Sequence, residues 1–383
     1  MIKNKILFNR PYIDSKDYLI FKKIFKTQSI NSRGDFTINC EKNIRRYLAN
    51  RHCLLTSSCT HALEISALLL DLKNNDEVIV PSYTFVSTAN AFELRGAKIV
   101  FADSEKNTPC IDPDDIERKI NKKTKAICIV HYAGFACNMT KILSIVNKYQ
   151  IKLIEDCAHA IDAKYNDKYL GTFGDISTFS FHYTKNIISG EGGAITFKSK
   201  KYYNKAKIYL QKGTNRSDFL SNKTNKYTWV DIGSSYELSD LNACLLNSQL
   251  KKRTIIKKKR LEIFNFYLSK LKLIEKKGFF ELPIIPKYAS YNGHIFYVVF
   301  KKNNEKIKFQ SYMKTKNIML NSHYECLHLS PYFKKNYKKR FKLMNAEKFA
   351  RNILRFPIYP SLNLKSLQYI INSTYKFFNI IHE

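Results

Sequence analysis

Between about residues 50 and 200 the chain alternates short β-branched runs with longer stretches whose apolar residues recur at helical spacing. Glu77-Val-Ile-Val80, Lys98-Ile-Val-Phe101, Ala126-Ile-Cys-Ile-Val130 and Lys152-Leu-Ile154 read as buried strands, because each is apolar without the alternation of a half-exposed sheet. Thr60 to Leu70 and Thr140 to Tyr149 carry the helical period. A β–α alternation of this kind predicts a mostly parallel sheet with helices on both faces. Ligands on such sheets gather at the carboxyl ends of the strands.

Polar residues stand at those ends. Lys152-Leu-Ile154 runs into Glu155-Asp156, and Ile176-Ser-Thr-Phe-Ser-Phe181 runs into His182-Tyr-Thr-Lys185. The first strongly patterned helix is preceded by Thr56-Ser-Ser-Cys-Thr60. After about residue 250 the texture changes. One long basic helix is expected from Leu245 to about Leu271, then Leu282-Pro-Ile-Ile-Pro286, the strand His294-Ile-Phe-Tyr-Val-Val-Phe300 and further helices. The expected division is a large domain over 1–250 and a smaller one over 251–383.

At 383 residues the chain can bury two sizeable cores. No apolar run is long enough to cross a bilayer, and Met1 to Phe8 is too short for the apolar part of a signal peptide, so a cytoplasmic location is expected. The nine cysteines are scattered, with no Cys-x-x-Cys pair, which predicts reduced thiols rather than a disulfide framework or a zinc site. No metal-binding cluster is expected.

The net charge of +33 favours anionic partners, whether nucleic acid, a phosphorylated small molecule, or none where the excess reflects compositional bias toward lysine. No nucleic-acid-binding motif accompanies the lysines, and neither a nucleic-acid nor a membrane partner is expected.

Lys185 lies between a buried strand and the turn Ser189-Gly-Glu-Gly-Gly193. A partly desolvated lysine has a lowered pKa and attacks carbonyls to form Schiff bases. Asp156, at the end of an apolar strand, fits either of two roles: a carboxylate that keeps a pyridine nitrogen protonated, or a turn cap. Ser58, Cys59 and Thr60 fit an anion site at a helix start as well as simple N-capping. Ser180 is placed to join such a phosphate cradle. His159 is either structural or a contact to a bound ring, and Phe85 is either core or a stacking partner. The glycines at 190, 192 and 193 do not form a dinucleotide fingerprint, and no Walker A sequence is present.

Taken in order, Thr56-Ser-Ser-Cys-Thr60, Pro81-Ser-Tyr-Thr-Phe-Val-Ser-Thr-Ala-Asn90, Glu155-Asp-Cys-Ala-His159, Phe179-Ser-Phe-His-Tyr-Thr-Lys-Asn186 and Gly190-Glu-Gly-Gly193 resemble the DegT/DnrJ/StrS family of sugar-nucleotide aminotransferases. The resemblance extends from Phe8-Asn-Arg-Pro11 to Phe356-Pro-Ile-Tyr-Pro360. It implies an α/β fold-type-I, aspartate aminotransferase-like architecture with a smaller C-terminal α+β domain, pyridoxal 5'-phosphate as cofactor and a homodimer.

Carried over, the resemblance makes Lys185 the Schiff-base lysine and Asp156 the partner of the pyridine nitrogen. Ser58, Cys59, Thr60 and Ser180 fall at the phosphate positions, Phe85 at the stacking position, and His159 where many members have glutamine. Lysine rather than histidine at position 185 favours amination over dehydration. The stretches Ala89 to Phe101, His131-Tyr-Ala-Gly134, Lys212 to Ser217 and Lys226 to Tyr236 are most similar to members that make dTDP-4-amino-4,6-dideoxygalactose in the enterobacterial common antigen pathway. The substrates this implies are L-glutamate and dTDP-4-dehydro-6-deoxy-D-glucose. Lys212 and Arg216 are expected to help hold the anionic substrates, and the segment from Lys212 to Tyr236 to reach a second subunit.

Overall fold

The computed structural model describes residues 5–27 and 30–380. Seven strands form the central sheet: β1 (His52–Thr56), β2 (Glu77–Pro81), β3 (Lys98–Ala102), β4 (Thr124–Val130), β5 (Lys152–Asp156), β6 (Ile176–Ser180) and β7 (Gly193–Phe197). Their order is β1-β7-β6-β5-β4-β2-β3. The pairings β6/β5, β5/β4, β4/β2 and β2/β3 are parallel, while β7 runs antiparallel to both its neighbours. The sheet is thus mixed by one strand only. All the strands expected from the apolar runs are present, and β5 continues through Glu155 and Asp156.

Strand periodicity sends the two acids to opposite faces. Glu155 accepts from the amides of Gly171 (2.9 Å), Phe173 (2.9 Å) and Gly174 (2.7 Å), and from His131 Nε2 (3.1 Å). Burial by itself would raise this carboxyl, but His131 and the amides hold it below its ordinary value. It serves the fold. Although Glu155, His131 and Cys157 bring ligand atoms within 4.8 Å of one another, the carboxylate is already saturated by these donors.

Helices α1 (Ser15–Thr27), α2 (Asp35–Tyr47), α3 (Cys59–Leu69), α4 (Ser87–Glu93) and α5 (Met139–Tyr149) precede or connect the strands. The single long helix expected from Leu245 is instead two, α6 (Asp240–Lys251) and α7 (Arg253–Lys276). The break falls at Lys252, whose buried ammonium sits between Asp14 (3.0 Å) and Asp17 (2.5 Å). Helical periodicity carries no sign of such a turn, because Asp14 and Asp17 come from the far end of the chain.

Beyond α7 lies a second, three-stranded sheet of β8 (Phe280–Glu281), β9 (Phe296–Phe300) and β10 (Ile353–Phe356), in the order β8-β9-β10 and antiparallel throughout. Its apolar side chains pack with Tyr267, Phe309 and Phe378. All nine cysteines are free thiols, and all but Cys59 are buried. No helix among the described residues is long and apolar enough to cross a membrane.

Candidate active site

Strands β1, β2, β5 and β6 point their carboxyl ends at one edge of the sheet, and a cavity of about 710 Å³ opens there. Its wall contains all eight residues expected to hold the cofactor: Ser58, Cys59, Thr60, Phe85, Asp156, His159, Ser180 and Lys185. Parallel strands bring them together from positions as much as 127 residues apart, as the strand-end rule requires.

The chain leaves β1, and Ser58 caps α3 by accepting from the His61 amide at 3.1 Å. The capping role is therefore real. The next amides, of Cys59 and Thr60, belong to the first turn of α3, where a helix has no internal acceptor for them. The Thr60 hydroxyl meets that of Ser87 at 2.8 Å. Gly193 pairs with both Thr56 and Ser180 in the sheet. A Cβ at Gly193 would lie 2.5 Å from the Cys59 nitrogen, so only glycine lets β7 start against this helix end.

Asp156 is buried. It accepts from Thr88 Oγ1 at 2.8 Å and from the Ala158 amide at 3.0 Å, so it caps a turn as well. Burial raises its pKa, opposed by these two hydrogen bonds and by the positive charge of Lys185. No cation forms an ion pair with it among the described residues, which leaves a buried carboxylate suited to a cationic ring nitrogen.

Lys185 is held by its backbone amide, which donates to the His182 carbonyl at 2.9 Å. Burial lowers its pKa, against the pull of Cys59 and Asp156 and with the help of Arg355. The lysine is thus biased toward the free amine that attacks an aldehyde.

His159 is buried, and burial pushes its pKa well down, with Lys185 and Arg355 adding to the effect. Its Nδ1 accepts from the Ala133 amide at 3.3 Å, made possible by the left-handed φ of 58° at Ala133. The proton of the neutral ring is therefore on Nε2, near the Tyr324 hydroxyl at 3.4 Å. Phe85 is 54% exposed, an apolar face turned to the cavity rather than packed in the core.

The same wall includes Tyr324, His323, Asn321 and Arg355, which sequence reasoning missed. Thr88, behind Asp156, was missed too, although it lies within one of the family-like stretches. Lys212 and Arg216 are not in this cavity. Arg216 instead approaches Glu237 at 3.4 Å, and Lys212 occupies a left-handed turn.

A deep lysine, a buried unpaired carboxylate, a helix-start anion site and an open aromatic face together fit pyridoxal phosphate, and with the fold they define a fold-type-I aminotransferase. The model of the DegT/DnrJ/EryC1/StrS aminotransferase family matches residues 11–374, and the chain belongs to that family. The uncharacterized protein MJ1066 of Methanocaldococcus jannaschii is 35% identical over 351 residues, 90% of each chain. GDP-perosamine synthase of Escherichia coli O157:H7 is 29% identical over 374 residues, covering 97% of this chain and 98% of its own. Among solved structures, NtdA from Bacillus subtilis with bound cofactor PMP superposes with a TM-score of 0.86 at 26% identity, over 98% of this chain and 87% of its own. The chain is a pyridoxal-phosphate-dependent sugar aminotransferase.

Proposed function

We propose that the enzyme moves an amino group from L-glutamate to C4 of dTDP-4-dehydro-6-deoxy-D-glucose, giving dTDP-4-amino-4,6-dideoxy-D-galactose. The observation carrying the amino-transfer reading is that Lys185, Asp156 and the start of α3 line one cavity. The sugar rests on the family-like stretches at 89–101, 131–134, 212–217 and 226–236.

When bound, pyridoxal phosphate supplies an aldehyde that takes up the amino group and a ring that withdraws electrons from the reacting carbon. Lys185 would hold the cofactor covalently, and its amine would serve as the base and acid that moves a proton at the reacting carbon. Asp156, steadied by Thr88, would keep the ring nitrogen protonated. Ser58, Cys59, Thr60 and Ser180 would hold the phosphate. Phe85 would offer an apolar face to the ring, and His159 would offer its Nε2–H to the cofactor.

A GDP-linked keto sugar is the second reading, favoured by the similarity to GDP-perosamine synthase over nearly the whole chain. Incubation with L-glutamate and each keto sugar nucleotide in turn, followed by identification of the aminosugar, decides between them. Amination of the GDP sugar alone would overturn the dTDP assignment.

The proposal includes a cofactor-binding domain over 1–250 and a smaller domain over 251–383, supported by the confinement of the seven-stranded sheet to the first and of β8, β9 and β10 to the second. It also includes a homodimer in which the strap from Lys212 to Tyr236 meets the second subunit. The strap leaves Trp229 78% exposed, with Tyr227, Val230 and Ile232 about half exposed beside it. Sedimentation of the wild type as a dimer and of Trp229→Asp as a monomer is the expected result.

A further inference from the structure

Behind the cavity a buried histidine joins two stretches of chain that are 246 residues apart in sequence. His328 Nδ1 lies 2.6 Å from the hydroxyl of Ser82, and both residues are buried. The Leu327 amide also donates to the Ser82 carbonyl, at 3.0 Å. On the other side of the ring, His328 Nε2 faces Glu347 Oε1 at 3.4 Å. Burial lowers the His328 pKa, against the pull of Glu347, so the ring is neutral and carries one proton. A carboxylate only accepts, which puts that proton on Nε2. Nδ1 is then the acceptor, and the Ser82 hydroxyl donates to it.

Ser82, His328 and Glu347 stand in the order of a hydrolytic triad, but Ser82 is fully buried and is not part of the cavity wall. No substrate reaches it. What the three residues hold follows from their places in the fold. Glu347 belongs to α8 (Met344–Asn352), and the amides of Asn345 and Ala346 at the start of α8 donate to Asp103 (3.2 and 2.8 Å), next to the end of β3. Ser82 opens the stretch after β2 that carries Phe85 three residues on, and Tyr324 precedes His328 by four residues. The rings of Phe85 and Tyr324 lie 6.1 Å apart, and those of Tyr83 and Tyr324 5.9 Å.

We propose that His328 is a positioning residue: through Ser82 it fixes the spacing of two aromatic parts of the cavity wall, Phe85 from the chain after β2 and Tyr324 from the chain before β10, and so the seating of the cofactor ring. The inference rests on the reading in which Phe85 meets that ring. Phe85 is more than half exposed, so its own packing does not hold it in place. The hydrogen bond between Ser82 and His328 is within four residues of both rings, which gives it leverage over their spacing. Loss of the acceptor leaves the Ser82 hydroxyl proton buried without a partner, and the loop must shift to relieve this.

The experiment compares the wild type with Ser82→Ala, His328→Ala, His328→Asn and the double variant Ser82→Ala/His328→Ala. Each apo-protein is titrated with pyridoxal phosphate, the visible circular dichroism of the bound cofactor is recorded, and the donor half-reaction with L-glutamate is timed. Asparagine places a carbonyl oxygen near the position of Nδ1 and can accept from Ser82.

For His328→Ala the expected result is cofactor affinity and donor half-reaction rate each lower by about 10-fold, with a diminished cofactor dichroism. Ser82→Ala changes all three in the same direction. The double variant loses no more than His328→Ala alone, because the two residues act through one bond. His328→Asn recovers most of the affinity and the dichroism. A residue that only fills space would lower the unfolding temperature and leave affinity and dichroism at their wild-type values, which overturns the proposal. Losses that add in the double variant overturn it too, as does His328→Asn behaving no better than His328→Ala. Should His328→Ala not fold, wild-type affinity and dichroism in Ser82→Ala overturn it. Amide hydrogen exchange of residues 82–88 and 323–328 in the apo-protein, expected to quicken in Ser82→Ala, reads the linkage without cofactor. If the wild type takes up no pyridoxal phosphate, the cofactor reading fails, whereas unchanged exchange overturns the role of His328.

Discussion

The hydroxyl of Thr88 donates to Asp156 at 2.8 Å and in turn meets Thr84 Oγ1 at 3.0 Å, so the carboxylate at the floor of the cavity is held from behind by a short hydroxyl chain. Burial raises the Asp156 pKa, and Thr88 is one of the groups that bring it back down. Removing the hydroxyl raises it further. Thr88→Val should slow turnover about 10-fold, the loss of one hydrogen bond to a charged group. It should also move the acidic limb of the pH–rate profile to higher pH. A profile identical to wild type would contradict the assignment.

A second prediction concerns His159 and its neighbour His294, both buried and both pushed well below the ordinary histidine range, by burial first and then by nearby positive charge. Their folded pKa values are lowered, so below the unfolded value of about 6.5 the unfolded chain binds more protons than the folded one. Stability is then fully present above that pH and is lost as pH falls. With two protons taken up on unfolding, the slope reaches at most about 2.7 kcal/mol per pH unit. Thermal unfolding between pH 7.5 and 5 checks this, and replacing His294 by Asn should flatten the dependence.

His159 itself presents Nε2–H to the cavity because Ala133 occupies Nδ1. Glutamine also presents an N–H donor, so His159→Gln should keep most of the activity while His159→Leu loses about 10-fold or more. Steady-state kinetics of the two variants separate a hydrogen-bonding role from one of filling space.

Gly193 packs against the start of α3, where an added Cβ would lie 2.5 Å from the Cys59 nitrogen and from the Ser58 carbonyl carbon. Those atoms belong to one backbone peptide group, which cannot swing aside as a side chain could. Gly193→Ala should displace the phosphate cradle and weaken cofactor retention, seen as loss of bound cofactor on dialysis, before it abolishes folding.

Lys252 tests the helix break. Its ammonium is buried between Asp14 and Asp17, and Asp17 is itself buried. Lys252→Met leaves those carboxylates unpaired and should cost about 3 kcal/mol of stability, measured by denaturant unfolding.

How much of this was legible in the sequence follows from where the information lies. β2 to β5 could be read because each is an uninterrupted apolar run, and the strand-end rule then pointed to Asp156 and Lys185. The helix-start residues Ser58 to Thr60 carry a local signature as well. Tyr324, His323 and Arg355 do not. They reach the cavity only because the chain before β10 packs against Tyr83 and Tyr132, with Arg355 following on β10, some 140 to 170 residues from Lys185 in sequence. The break at Lys252 was hidden for the same reason: its cause is Asp14 and Asp17, far away in sequence. The expectation for Lys212 and Arg216 rested on charge alone, and charge does not say which cavity a side chain faces.

The central claim is that Lys185 carries the cofactor. Holoenzyme reduced with borohydride, digested and analysed by mass spectrometry should show the cofactor's mass added on the peptide containing Lys185, and the Lys185→Ala protein should show none. A label on another lysine, or a protein that gains neither visible absorbance nor mass when supplied with pyridoxal phosphate, would contradict it.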